Sequence, residues 1–218
     1  MMNRADQVAR ILEARLIGII RVRDGAQLRP AIEAMVEGGL RVLEVVMTVP
    51  GALELIREIR PFADAQGVLF GAGTVLDAET ARLALLAGAE FLVSPVLRLE
   101  MIQVCARYGA VSIPGCATPT EMLTGWEHGA DFVKVFPAVP LGGPEYIRMV
   151  RGALPQLRLI TTGGVGPENA GEFLEAGCVA VGSGYMVSDA LLEARDFDEI
   201  RRRSRRLVDA VAVHARTP

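Results

Sequence analysis

Short runs of β-branched and aliphatic residues alternate along the chain with longer stretches whose apolar positions recur at helical spacing. The runs predict strands at residues 17–21, 42–47, 68–71, 91–93, 111–113, 132–136, 159–162 and 179–182. The amphipathic stretches predict helices at 27–37, 52–60, 78–87, 97–108, 120–128, 145–154 and 168–176. One further helix is expected near 5–13, before the first strand, and another near 197–214. Such alternation implies a parallel sheet with helical crossovers. Several helices end in the same way, as in Glu37-Gly38-Gly39, Ala87-Gly88-Ala89, His128-Gly129-Ala130 and Ala176-Gly177-Cys178. Glycine there supplies the left-handed cap that turns the chain back to the next strand. About eight strand–helix units in a chain of this length fit an α/β fold, a single-domain (β/α)8 TIM barrel over residues 1–218 with an extra N-terminal helix. An open doubly wound sheet is the competing architecture. The first strand, however, is not followed by its Gly-x-Gly-x-x-Gly fingerprint.

Composition narrows the classes of partner. The 218 residues are 51% hydrophobic and 22% charged, with a net charge of −3. An acidic chain lacks the basic face that nucleic acid requires, so no nucleic-acid partner is expected. No apolar run approaches the roughly 18 residues that span a bilayer, and residues 1–10 read as polar, without a secretory leader. Three widely spaced cysteines, Cys105, Cys116 and Cys178, suit a reduced, cytoplasmic protein. Histidine occurs only at 128 and 214, in helical segments, so no histidine metal cluster and no metal are expected. The arginine-rich run from Arg201 to Arg206 reads as a solvated helix face.

One residue stands out. Lysine and arginine total 23, yet Lys134 is the single lysine. Arginine stays protonated, whereas a desolvated lysine can lose its proton and become a nucleophile. Lys134 lies in Phe132-Val133-Lys134-Val135-Phe136. Alternation puts Phe132, Lys134 and Phe136 on one face, inside the barrel, with the two valines toward the helices. That setting lowers a lysine pKa and favours attack on a carbonyl to form a Schiff base. A lysine paired to a buried carboxylate is the plainer alternative. Glu44, in Val42-Leu43-Glu44-Val45-Val46, also reads as inward, either as a salt-bridge partner of Lys134 or Arg21 or as a proton shuttle.

Barrel chemistry sits at the carboxyl ends of the strands. There the chain carries Thr161-Thr162-Gly163-Gly164 and, one strand later, Gly182-Ser183-Gly184. Paired glycine turns of this kind admit an anion to backbone N–H groups, and barrels commonly hold phosphate at this place. They also serve as tight turns without a ligand. Cys116 reads as a small packing residue.

At these residues the chain resembles the class I 2-keto-3-deoxy-6-phosphogluconate (KDPG) and 4-hydroxy-2-oxoglutarate (KHG) aldolases. The motifs run in order: Leu43-Glu44-Val45, Thr48-Val49-Pro50-Gly51-Ala52, Gly71-Ala72-Gly73-Thr74-Val75, Ser94-Pro95, Pro114-Gly115, Lys134-Val135-Phe136-Pro137, Thr162-Gly163-Gly164 and the turn at Gly182. The resemblance implies a homotrimeric barrel that cleaves a 2-keto-4-hydroxy acid reversibly to pyruvate and an aldehyde, without metal or cofactor. Lys134 matches the Schiff-base lysine and Glu44 the general acid/base. Thr74 matches a contact to the pyruvate carboxylate, and Pro95 and Phe136 match the pyruvate pocket. Thr162, Gly163, Gly164 and the Gly182–Gly184 turn match the distal, phosphate-proximal end.

Two positions depart from the pattern. Where some members carry a carboxylate-binding arginine four residues after the glutamate, this chain has Thr48, and Arg21 is the candidate replacement cation. In the last turn the order is Gly182-Ser183-Gly184-Tyr185, which displaces the serine hydroxyl. Pro114-Gly115-Cys116-Ala117-Thr118 and Gly143-Pro144-Glu145-Tyr146-Ile147 look like the subgroup acting on the galactonate epimer. A phosphate-binding barrel without covalent chemistry, and an isomerase using Glu44 as base, are readings from other classes. Both leave Lys134 idle.

Overall fold

The structure, a computed structural model, describes residues 3–23, 25 and 27–214. The first two and last four residues of the expected 1–218 domain therefore lie outside the described ones. The elements run α1 (Arg4–Ala14), β1 (Leu16–Ile20), α2 (Leu28–Glu37), β2 (Val42–Val46), α3 (Ala52–Gln66), β3 (Leu69–Gly73), α4 (Ala78–Ala87), β4 (Phe91–Val93), α5 (Leu99–Tyr108), β5 (Val111–Ile113), β6 (Gly115–Cys116), α6 (Pro119–Glu127), β7 (Val133–Val135), α7 (Gly143–Ala153), β8 (Leu159–Thr161), α8 (Ala170–Glu175), β9 (Ala180–Ser183), α9 (Asp189–Glu193) and α10 (Phe197–His214). All strands are parallel, in the order β5-β4-β3-β2-β1-β9-β8-β7-β6.

The two ends of that order are consecutive in the chain. β5 and β6 are the halves of one strand interrupted at Pro114, so the chain itself closes the ring. β5 pairs with β4, and β6 pairs with β7. The Pro114 carbonyl still accepts from the Lys134 N–H at 2.9 Å. The expected eight strands are thus present, the fifth in two pieces. The break lets β6 press on the end of β4: a Cβ at Gly115 would lie 2.3 Å from the Pro95 carbonyl carbon. Only glycine fits that approach.

Side chains sort into two apolar layers. Ile17, Val42, Leu69, Phe91, Val111, Ile113, Phe132 and Ile160 fill the inside of the barrel. Leu43, Val45, Val133 and Val135 point outward and pack with the helices, as alternation predicts. Cys116 belongs to that outer layer, as a packing residue. The predicted glycine caps hold at Gly39, Gly88, Gly129 and Gly177, where φ is +105°, +113°, +90° and +107°.

Most element ends fall within two residues of expectation, and three departures bear on the fold. α3 runs on through Pro61 to Gln66 instead of stopping at 60, because Ala63 continues the buried stripe of Ile56 and Ile59. Losing one N–H costs that helix less than exposing the stripe. The chain is already out of the ladder at Arg21, one residue earlier than predicted. The short helix α9, capped by the Ser188 side chain, was not expected. The Ser188-Asp189 pair is its sequence signal.

α1 seals the amino-terminal mouth of the barrel. Ile11 is fully buried among the inner-layer residues. Gln7 Oε1 accepts from the Val111 N–H at 3.2 Å, and Arg4 pairs with Asp131 at 2.8 Å. Removing the plug opens a cavity under the inner layer. Ile11→Ala is expected to cost about 2–5 kcal/mol, read as a lowered urea midpoint. A loss below about 1 kcal/mol would show that α1 is peripheral.

Candidate active site

Glu44 and Lys134 sit at the middle of β2 and β7. Counting β5 and β6 as one strand, these are four strands apart around a ring of eight, so the two side chains face each other across the lumen. Both are buried, at 2% and 6% exposure. Both line a cavity of about 260 Å3 at the carboxyl ends of the strands. Among the described residues neither forms an ion pair or a hydrogen bond through its side chain. Their influence on each other is electrostatic, across the cavity. Lys134 Nζ lies 5.1 Å from the centroid of the Phe136 ring, the aromatic wall beside it.

Burial dominates both pKa values, and in opposite directions. Desolvation pulls the Lys134 ammonium down; the Glu44 charge opposes that pull and the Arg21 charge adds to it. Desolvation pushes the Glu44 carboxyl up, against Lys134 and Arg21. Each shift is toward the neutral form, the direction that suits an amine for attack on a carbonyl and a carboxyl for loss of its oxygen as water.

The cavity gathers most of the residues singled out from sequence. Arg21, Glu44, Lys134, Phe136, Thr162, Gly163, Gly164, Gly182, Ser183 and Gly184 all line it. Thr162 is buried, and its hydroxyl has no partner among the described residues. Gly163 and Gly164 take φ of +92° and +85°. Ile19 and Val165 complete the wall. Sequence reasoning passed over both as ordinary apolar residues, although Ile19 shares the inward face with Ile17.

Other expected contacts fall outside that wall. Thr48 is exposed beyond β2 and does not line the cavity. Pro95 lies against Gly115 at the end of β4. Thr74 is also outside, yet its hydroxyl accepts from Arg21 Nη2 at 3.2 Å, and its backbone is held at φ +58°. Thr74 therefore orients the cation rather than forming the wall. The Ser183 hydroxyl is committed to the protein: it donates to the Val165 carbonyl at 2.6 Å and accepts from the Tyr185 N–H at 3.2 Å. It ties the two glycine turns together. The arginines of α10 pair with acids, Arg201 with Glu37 and Arg206 with Glu168, each at 2.7 Å. They form the solvated face expected of them.

A larger cavity, about 480 Å3, opens at the amino-terminal end near Leu16 and Val42. Its arginines, Arg10, Arg15 and Arg41, donate to carbonyls that close α3, α10 and α2. They neutralise helix ends, and no nucleophile is among the described residues that line that space. Among the described residues no group of three side chains suited to a metal occurs.

A closed parallel barrel with a buried amine and a buried carboxyl facing each other at the carboxyl ends of its strands is suited to imine chemistry. Comparison with known proteins agrees. The sequence pattern of the KDPG and KHG aldolases matches residues 8–203. A 2-dehydro-3-deoxy-phosphogluconate aldolase of Pseudomonas aeruginosa is 31% identical over 221 residues, covering 99% of this chain and 100% of the relative. A KDPG aldolase of Legionella pneumophila, solved with pyruvate captured as a covalent carbinolamine intermediate, aligns with a TM-score of 0.85 at 27% identity, covering 92% of this chain and 97% of that one. A native KDPGal structure aligns at 0.83 and 28% identity, covering 93% and 96%. The chain belongs to the KDPG and KHG aldolase family, and its class is that of the carbon–carbon lyases.

The electrostatics predict how imine formation responds to pH. Trapping of pyruvate with borohydride is expected to rise with pH and level off at a midpoint below the ordinary lysine range. Glu44→Gln removes a charge that holds the Lys134 proton, so the midpoint falls further. Arg21→Gln removes one that expels it, so the midpoint rises. Identical midpoints in all three proteins would show that neither charge reaches Lys134.

Proposed function

We propose that this chain is a class I aldolase that reversibly cleaves 2-keto-3-deoxy-6-phosphogluconate to pyruvate and glyceraldehyde 3-phosphate, and 4-hydroxy-2-oxoglutarate to pyruvate and glyoxylate. The observation that carries this reading is the single lysine, buried without a hydrogen-bond or ion-pair partner among the described residues and facing a buried carboxyl across one small cavity. The neutral Lys134 amine adds to the C2 carbonyl of the keto acid. Glu44 gives its proton to the carbinolamine oxygen, which leaves as water and creates the iminium. The Glu44 carboxylate then takes the proton of the C4 hydroxyl. The C3–C4 bond breaks, its electrons pass into the enamine, and the aldehyde departs. Glu44 returns the proton to C3, and water releases pyruvate from Lys134.

Supporting groups suit the two ends of such a substrate. Arg21, oriented by Thr74, is the cation for the keto-acid carboxylate, since Thr48 stands outside the cavity. Among the described residues the N–H groups of Gly163, Gly164 and Gly184 make no backbone hydrogen bond, and they suit an anion at the distal end. The free Thr162 hydroxyl suits a substrate oxygen. The galactonate epimer is the second reading. It is favoured by the Tyr146 hydroxyl, which donates to the Ala117 carbonyl at 2.6 Å and so joins the two segments that resemble that subgroup.

We take residues 1–218 as one catalytic domain that acts in the cytoplasm. Its three cysteines are buried and unbridged, and burial pushes each thiol up to about 12. No described helix is long and apolar enough to cross a membrane. A homotrimer is part of the same proposal. It gives a use to the exposed Leu83 and Leu86 of α4 and Tyr108 of the neighbouring α5. Sedimentation equilibrium is expected to return three times the chain mass, and a monomer at every concentration would exclude the trimer.

Pyruvate with borohydride is expected to add one pyruvate-derived mass at Lys134. Lys134→Ala and Lys134→Arg both lose turnover, because arginine keeps its charge. Glu44→Gln is expected to slow turnover by roughly a hundredfold or more while still binding pyruvate. A folded protein that gives no adduct would overturn the aldolase reading. Assay of both 6-phosphate epimers and of 4-hydroxy-2-oxoglutarate then ranks the substrates.

A further inference from the structure

Two glycines on the inner face of β3 leave space for a neighbour, and the neighbours differ in kind. A Cβ at Gly71 would lie 2.6 Å from three atoms of the Phe91 ring, a fully buried part of the inner layer. A Cβ at Gly73 would lie 2.6 Å from Glu44 Oε1 and 2.9 Å from Glu44 Cδ, with Val46 Cγ1 at 3.3 Å. The Gly73 φ is outside the left-handed region, so backbone conformation does not require glycine there. Register pairs Glu44 with Gly71 and Val46 with Gly73. The Glu44 side chain therefore leans one inward position along β3 and lays its carboxyl on the bare Cα of Gly73.

We infer that Gly73 is a positioning residue whose missing side chain is the seat of the Glu44 carboxyl. The inference deepens the aldolase reading and rests on it for the role of Glu44. Among the described residues no donor holds that carboxyl, so contact with the β3 wall is its restraint on that side. The wall itself cannot recede: the Met47 N–H donates to the Gly73 carbonyl at 2.7 Å, within the β2–β3 ladder. A methyl at position 73 must therefore move the carboxyl, the free end of a flexible side chain, rather than the strand. An unbonded carboxyl also suits the proposed sequence, which asks one group to reach the carbinolamine oxygen, the C4 hydroxyl and C3. A hydrogen-bond donor would fix it at one of these. A bare backbone floor fixes its depth and leaves it free to turn.

The test is a double-mutant cycle between positions 73 and 44, read in kcat, KM and Tm. Gly73→Ala is expected to lower kcat by about tenfold or more, with KM changed less than about threefold, because a small misplacement of a reacting group acts on the chemical step. Its Tm should stay near that of Gly152→Ala, a helix-surface control with nothing within 4 Å of its added Cβ. Glu44→Asp withdraws the carboxyl from the seat. In that background Gly73→Ala is expected to cost less than about threefold in kcat, since the clash is gone. Wild-type kcat in Gly73→Ala, or the same fold-loss in both backgrounds, would overturn the inference. So would a Gly73→Ala protein that fails to fold and is not restored by Glu44→Asp, because the methyl would then be meeting something else. Glu44→Gln separates the two levels. Wild-type turnover in that variant removes the proton shuttle itself, whereas a slow Glu44→Gln beside a normal Gly73→Ala removes only the seat.

Discussion

The structure depends on holding one amine and one carboxyl out of water, on opposite walls of the same barrel, without letting them pair. A direct ion pair would keep Lys134 charged and useless as a nucleophile. Isolation in an apolar lumen does the reverse, since desolvation favours the neutral form of each. Distance is therefore part of the chemistry. The two strands stand half a turn of the ring apart, with the cavity between them. The inner layer below, with Phe132 and Phe91, is fully buried and keeps that end dry.

The space exists because side chains are left out. Gly71 yields to the Phe91 ring, Gly73 to the Glu44 carboxyl and Gly182 to the Thr162 methyl, each where a Cβ would come to 2.6 Å. Among the described residues the buried Thr162 hydroxyl has no partner, and it faces the cavity. Such a group is retained where a ligand satisfies it. The rim is stiffer than its glycines suggest. Ser183 ties Val165 to Tyr185, and Asn169 accepts from the Gly166 N–H at 2.9 Å and donates to the Gly164 carbonyl at 3.0 Å. The turns are thus preformed around the distal end of the cavity.

Much of this was legible in the residue order, because it depends on local period. Two-residue alternation set Lys134, Glu44 and Phe132 inside and Val133 and Val135 outside, and helical spacing with glycine caps located the crossovers. The absence of every other lysine marked Lys134 before any fold was known. Where reading by period fell short, tertiary contacts had overruled local preference. α3 crosses Pro61 because its buried stripe continues, and the fifth strand breaks at Pro114 because Gly115 must meet Pro95. Thr48 matched a motif position and is exposed outside the cavity lining, since motif spacing does not report where a loop residue comes to lie.

The sequence by itself determined the type of fold, singled out Lys134 and Glu44, and set the faces on which they lie. These follow from periodicity and from the chemistry of single side chains. Only the tertiary structure decided that β2 and β7 face each other, that Arg21 and Thr74 form one unit, that the Ser183 hydroxyl is spent on the protein, and that Gly73 carries the Glu44 carboxyl. Each of these is a contact between residues far apart in the chain. It comes into being when the ring closes and strand neighbours are assigned, and no local pattern encodes it.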